Sequence, residues 1–198
     1  MLSAGCIVLC CFGVKYCSQP KARAKQALKH FFSACMAGDT QNILHYSVTE
    51  QLAPLYETYT EADGCKTSDA EEFAETLVQN AAEMDRYEIV SRRDCTQEMK
   101  DQIEVLRLNA EKERKILEKH DLEPDPEAEA AMTKYIGYLD SVETAYSFTV
   151  RVKTDGEWET DTVDVPVVRI SGAWKADPVS PCILIPAIRD PDAPEDAE

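Results

Sequence analysis

The C-terminal part of the chain alternates between apolar and polar residues, and the elements before it are predicted helices that need a sheet to pack on. In the first predicted strand, one polar residue separates each apolar position from the next, at Tyr146, Phe148, Val150 and Val152. A period of two indicates a strand with one buried face. Asp155-Gly156 has the composition of a tight hairpin turn, so a second strand over 158–170 is expected to return beside the first. A further turn at Ser171-Gly172 predicts a short third strand around Trp174.

The second predicted strand contains one irregularity. Val163 and Val165 share a face, whereas Val168 and Ile170 have the opposite parity. Because Pro166 has no N–H to donate, it is expected to mark a β-bulge that restores the register. A bulged and bent sheet would suit a sheet that curls around a helix.

The residues before this region predict helices and one strand. The first helix has apolar residues at spacings of three and four, at Ala24, Ala27, Leu28, Phe31, Phe32, Cys35 and Met36. It is expected to end at Gly38, with a short helix over 40–46 after it. A helical turn then opens at Thr49, a capping box at Ser68 begins another helix, and a strand follows over 86–93.

Residues 96–140 are predicted to form a helical hairpin inserted before the sheet. The first helix, over 96–120, is highly charged and has a thin apolar stripe. Asp125 is the expected cap and Pro126 the first residue of a second helix that continues over 127–139. Since the stripe is thin, the hairpin is expected to lean on the domain as a surface element, and its removal to leave a folded domain.

The two ends of the chain differ from its body. Residues 1–17 are largely apolar, which favours a membrane anchor. The segment is shorter than the roughly 20 residues that cross a bilayer as a helix, so a disordered or packed apolar leader is the alternative. Residues 1–30 carry five basic and no acidic residues, so with a total of −16 the rest of the chain is at −21. An acidic body argues against nucleic acid as a partner. Residues 189–198 are predicted to be a disordered acidic tail.

The eight cysteines do not predict a metal site, because no CxxC pair or zinc-type Cys/His spacing occurs. Neither a metal nor a cofactor is therefore expected. Four cysteines are scattered singly and are expected as small buried or loop residues: Cys35, Cys65, Cys95 and Cys182. One disulfide among them would be consistent with an extracytoplasmic domain.

Three features together resemble the NTF2-like superfamily: the order of the elements, the segment Phe31–Gln41 (FFSACMAGDTQ) and the segment Gly172–Asp177 (GAWKAD). More narrowly, it resembles NTF2-like domains of small bacterial membrane-anchored or lipoprotein-type proteins. The resemblance covers residues 20–180 without the 96–140 hairpin. It implies an α+β cone, in which a curved antiparallel sheet wraps around the N-terminal helix and encloses a pocket. The superfamily includes isomerases, dehydratases and non-catalytic binding domains, so the fold alone does not decide the function.

The candidate ligand-binding residues of this pocket are His45, Tyr46, Tyr56 and Tyr59. Of the three histidines, His45 is the one expected to approach the pocket, and no acidic partner for it is identifiable. No catalytic residue is predicted on this basis. Two further tyrosines could line a pocket but are expected to pack in the core: Tyr135 and Tyr138.

These observations favour a non-enzymatic, membrane-tethered binding or protein-interaction module with a partly apolar pocket. The expected partners are a small apolar ligand or peptide segment, a protein that contacts the hairpin, and a membrane that holds the N-terminal anchor. The alternative is a small isomerase- or dehydratase-like enzyme. Anchored relatives place such a domain on the extracytoplasmic face, although positive residues after an apolar segment by themselves favour the cytoplasmic side.

Overall fold

A computed structural model of the protein describes residues 19–59 and 69–182. In chain order its elements are α1 (Pro20–Ala37), α2 (Thr40–Tyr46), α3 (Thr49–Tyr59), α4 (Ala70–Ala81), β1 (Met84–Asp94), α5 (Thr96–Lys119), α6 (Pro126–Ser141), β2 (Val142–Thr154), β3 (Glu157–Ile170), β4 (Ala173–Ala176) and a 3₁₀ turn (Ser180–Cys182). The predicted anchor over 1–17 and the predicted acidic tail over 189–198 lie outside the described residues.

The four strands form one antiparallel sheet in the order β1-β2-β3-β4, which curls into a half-barrel. Both predicted turns are present. Asp155 and Gly156 have φ values of 51° and 79°, and Ser171 and Gly172 have values of 50° and 80°. Two consecutive positive φ angles match the right-handed twist of the flanking strands, so these turns set the register of the sheet. The α+β class and the curved antiparallel sheet are therefore confirmed.

The helix boundaries follow local capping. Gly38, with a φ of 70°, ends α1. Asp69 caps α4 by accepting hydrogen bonds from the N–H groups of Glu71 and Glu72, whereas the sequence pattern placed the cap at Ser68, outside the described residues. Asp125 caps α6 as predicted.

One face of the sheet packs against α1. The buried residues of α1 are Ala24, Ala27, Leu28, Phe31, Phe32, Ala34 and Cys35. They share one hydrophobic cluster with Tyr146, Phe148 and Val150 of β2 and with Val165 and Val167 of β3. Met36, which was predicted to belong to this stripe, is 41% exposed.

The other face of the sheet packs against the helical hairpin, and the prediction of a surface hairpin is wrong for its base. Ala145 and Val168 are cross-strand partners whose side chains point away from α1, since successive strand residues alternate in direction. They share a second cluster with residues of α5 and α6: Met99, Ile103, Leu106, Ala131, Tyr135, Tyr138 and Leu139. The apolar stripe of α5 is thin because only its first half meets this core.

The predicted bulge at Pro166 is absent. Ser147 pairs with Pro166 inside an uninterrupted register, and the register shifts lie between Val142 and Thr144 and between Arg151 and Lys153. The change of parity in β3 has another cause: both faces of the sheet are covered there, so residues on either face are apolar. The carbonyl of Pro166 accepts a hydrogen bond from the Asp177 N–H at 2.8 Å, at the point where β4 has ended.

Candidate functional site

The predicted pocket residues His45 and Tyr46 lie at the end of α2, beside α1. His45 is exposed and Tyr46 is half-buried. The Tyr46 ring stacks on His30 with a centroid separation of 4.9 Å and meets His45 edge-on at 4.8 Å. Tyr56 and Tyr59 lie on α3, and their side chains are outside the described part of the structure. The structure thus brings His45 and Tyr46 together with His30, a residue that the sequence pattern had placed away from any site.

Large side chains fill the interface between α1 and the sheet where a cone pocket was expected. Leu28, Phe148, Val150 and Val167 are each at most 1% exposed, and Phe31 is 4% exposed. The cavities described below lie elsewhere, on the hairpin and at its base.

A buried acid, Asp177, lies between the end of β4 and the hairpin. Its carboxylate accepts hydrogen bonds from the Tyr138 hydroxyl and from the N–H groups of Val179, at 3.2 Å, and Ser180, at 2.8 Å. Burial raises the pKa of the Asp177 carboxyl, although these hydrogen bonds oppose the shift. Burial is also the main cause of the raised pKa of Tyr138, to which Asp177 adds. This group ties the segment after β4 to α6.

The role of Asp177 is structural. It caps the 3₁₀ turn that follows, and neither Asp177 nor Tyr138 lines any of the three cavities described here. The sequence signal that could have found it is an aspartate just before Pro178, whose side chain reaches the N–H groups two and three residues later, as helix caps do. As expected, Tyr135 and Tyr138 pack in the core, with ring centroids 6.0 Å apart.

A groove of about 630 Å³ runs between α5 and α6. Its apolar lining comes from both helices and includes Ala110, Leu117, Ala128, Met132 and Ile136. The buried residues of α5 end at Leu106, and those of α6 begin at Ala131. The distal half of the hairpin therefore extends past the core, and the groove opens between helices that no other described element covers at that end.

The rim of this groove is charged. Four carboxylates and two guanidinium groups line it: Glu111, Glu113, Asp125, Glu129, Arg107 and Arg114. The formal charge of this set is −2. Burial raises the pKa of Glu113, and repulsion from Glu129 and Asp125 raises it further. Glu113 of α5, the cap residue Asp125 and Glu129 of α6 therefore line one groove close enough for the two other acids to repel the charge on Glu113.

Two further cavities flank the first half of α5. A cleft of about 420 Å³ lies where α5 meets the sheet, and its polar lining includes Arg93, Glu98 and Asp164. Arg93 and Glu98 form an exposed ion pair, and Asp164 accepts a hydrogen bond from the Thr149 hydroxyl at 2.7 Å. A second cavity of about 590 Å³ lies between α5 and the end of α6.

Two cysteines, Cys35 and Cys95, have described side chains, and both are poor nucleophiles because their thiols stay protonated at neutral pH. Cys35 and Cys95 are buried and unpaired, and burial raises the pKa of their thiols to about 12 and about 11. Within the described ranges, no group of three or more His, Cys, Asp or Glu side chains could hold a metal ion. No helix in these ranges is long and apolar enough to cross a membrane.

Comparison of the chain with protein-family models, curated proteins and solved structures gives no significant match.

Proposed function

We propose that this protein is a non-enzymatic binding module whose helical hairpin, α5 and α6, holds a segment of a partner. The groove between these helices carries the proposal, because an apolar lining that no described element covers favours association with another molecule. Exposed apolar residues add support. Of the seven large hydrophobic side chains exposed in the described ranges, three lie on the hairpin: Val105, Leu108 and Leu122.

We propose further that the domain is an NTF2-like cone held at the extracytoplasmic face of a membrane by residues 1–17. The support for the cone is the curled antiparallel sheet with α1 packed against one face. The support for the tether is the apolar character of the N-terminal segment.

The site geometry favours binding over an isomerase or dehydratase. Acid–base catalysis needs a titratable group within hydrogen-bond reach of the substrate. The candidate base, His45, is exposed at the end of α2, and the interface behind it is filled by side chains. The fully buried Asp177 accepts three hydrogen bonds away from the described cavities.

A peptide-display selection tests the proposal. Peptides selected on the full chain from a random library should lose binding to Ala110→Trp, which fills the groove. They should keep binding to Ala82→Trp, an identical change at an exposed alanine at the end of α4. Selected peptides that bind both variants equally would place the binding site elsewhere and overturn the proposal.

A substrate panel tests the enzymatic alternative. Isomerase and dehydratase substrates should show no turnover with the wild-type chain. Turnover that disappears in His45→Ala, while the variant keeps its melting temperature, would overturn the non-enzymatic assignment.

A further inference from the structure

The three carboxylates at the distal end of the hairpin groove have no basic partner at helical spacing. On α5, the residues three and four positions from Glu113 are Asn109, Ala110, Ile116 and Leu117. By contrast, Arg107 and Arg114 lie four and three positions from Glu111, which is the spacing at which opposite charges on a helix meet. The two arginines of the groove are thus placed to compensate Glu111 and not Glu113.

The helix α6 accounts for the positions of two of the three acids, Asp125 and Glu129. Asp125 caps α6 by accepting the N–H of Glu127 at 2.9 Å, and Glu129 is in the first turn, where the helix dipole favours negative charge. Neither reason applies to Glu113, which lies in the second half of α5. Its carboxyl is partly buried in a groove that Glu129 and Asp125 also line, and both the burial and the repulsion from these acids disfavour its charged form.

We infer that the groove between α5 and α6 binds a partner segment that is apolar along the groove and carries a Lys or Arg where it meets Glu113, Asp125 and Glu129. This inference rests on the proposed function. Ala110, Leu117, Met132 and Ile136 would contact the apolar part of the segment. The cation would make charge-assisted hydrogen bonds to the carboxylates and would remove their mutual repulsion.

The charge balance of the groove favours this class of segment. Its lining has a net charge of −2 within a chain of net charge −16, so an acidic segment would be repelled at the rim and by the body. A neutral apolar segment would fill the groove but leave the three carboxylates uncompensated. A basic residue supplies the charge that is missing.

Binding of a basic segment in this groove should depend on pH. The pKa of Glu113 is raised in the free protein, and a bound cation would favour its charged form. Binding should therefore strengthen as the pH rises through the raised pKa of Glu113 and weaken as the pH falls through it. Glu129 and Asp125 face Glu113 from α6, and Arg107, Glu111 and Arg114 lie on its own helix.

Three synthetic peptides test the inference with the full chain. They share one length and one leucine stripe at helical spacing, and they differ at a single polar position, which is Lys, Gln or Glu. We expect the Lys peptide to bind about tenfold more tightly than the Gln peptide, and the Glu peptide to bind most weakly. Isothermal titration calorimetry at low and moderate salt measures the three affinities.

A pair of matched variants separates the groove from the general acidity of the protein. Glu113→Gln/Glu129→Gln should abolish the preference for Lys over Gln. Glu75→Gln/Glu83→Gln changes the net charge equally at exposed positions of α4 and just after it, and should retain the preference. Urea unfolding of both variants checks that each is folded.

The outcomes distinguish the inference from the proposed function. If all three peptides bind equally and Ala110→Trp abolishes binding, the groove is a binding site but its preference for a cation is overturned. A preference for Lys that persists in Glu113→Gln/Glu129→Gln would also overturn it. If no peptide binds, or if Ala110→Trp has no effect, the groove as a binding site fails as well.

Discussion

At the residue scale, burial raises the pKa values of two carboxyl groups, Asp177 and Glu113, whose neighbours act in opposite directions: hydrogen bonds oppose the shift at Asp177, and acidic neighbours add to it at Glu113. Asp177 is fully buried, and three donors hold it in place between β4 and α6. Glu113 is only partly buried, and its neighbours in the groove are other acids. A raised pKa thus accompanies a structural contact at Asp177 and the proposed binding groove at Glu113, and hydrogen-bond partners distinguish the two cases.

Replacing Asp177 should show its structural role. Asp177→Ala leaves the Tyr138 hydroxyl and two N–H groups without their acceptor in the core, and should lower the free energy of unfolding by at least about 3 kcal/mol. Asp177→Asn keeps an acceptor oxygen and should cost less. Urea unfolding followed by circular dichroism measures both. Equal, small losses for the two variants would contradict the role assigned to Asp177.

The same residue predicts a pH dependence. The folded-state pKa of Asp177 is raised above its ordinary value of 3.8, so its contribution to stability is present below that value and is lost as the pH rises through the folded pKa. Wild type should therefore lose stability relative to Asp177→Asn with rising pH. Urea midpoints across a pH series test this, and a constant difference between the two proteins would contradict it.

Trp174 should contribute less to stability than a fully buried tryptophan, because its ring is partly exposed. Its ring is half-buried and stacks on Tyr146 with centroids 5.7 Å apart. Trp174→Ala should cost about 2 kcal/mol, less than the 3–5 kcal/mol typical of a fully buried tryptophan. Denaturant unfolding measures the loss. A value well under about 1 kcal/mol would show that the ring contributes little to the packing of β4.

At the element scale, the hairpin consists of two parts with different roles. Its base completes the core on one face of the sheet, where Leu106, Tyr135 and Leu139 are each at most 2% exposed. Its distal half forms most of the groove, which Met132 and Ile136 of the base complete, and has no buried side chain among the described residues beyond Leu106 of α5 or before Ala131 of α6. Stability and binding should therefore be separable within this one element.

Two deletions test that separation. Replacing residues 107–130 by a short Gly/Ser linker should leave a cooperative fold, because the buried residues of both helices remain. Replacing residues 96–140 should abolish near-ultraviolet dichroism and cooperative unfolding, because it removes one side of the second hydrophobic cluster. A cooperative fold after the larger deletion would show that the hairpin is a surface element, as its sequence pattern predicted.

At the scale of the whole molecule, charge is distributed unevenly along the chain, since residues 1–30 carry five basic and no acidic residues whereas the remainder is strongly acidic. The first buried residue of the described clusters is Ala24, and the first acidic residue of the chain is Asp39. We expect the proposed tether and the folded domain to be independent units, because residues 1–17 are largely apolar whereas the described domain builds its own hydrophobic clusters.

Deleting residues 2–17 tests this independence. The shortened chain should appear in the soluble fraction of cells, because the proposed tether is removed, and should keep the melting temperature of the full chain, because every residue of the two described hydrophobic clusters is retained. Protease protection of the full chain in intact cells reports which side of the membrane holds the domain. Full-length protein in the soluble fraction would contradict the tether.

The sequence by itself determined the elements of this protein. Positive backbone angles at Asp155-Gly156 and Ser171-Gly172, the end of α1 at Gly38 and the cap of α6 at Asp125 depend on neighbouring residues, so local composition was enough to predict them. The alternation of β2 likewise predicted which of its residues face α1.

The tertiary structure alone decided what covers each face of the sheet and where a site forms. The apolar positions of β3 switch to the other face at Val168 because α5 and α6 cover that face of the sheet. No residue near Val168 in the sequence specifies this contact. Asp177 accepts a hydrogen bond from Tyr138, and Glu113 and Glu129 line the same groove, because helix packing brings together residues that are distant in the sequence. Periodicity shows that a residue has a preferred face, but the element that covers that face comes from distant sequence, and this is why the core of the hairpin and its groove could not be predicted.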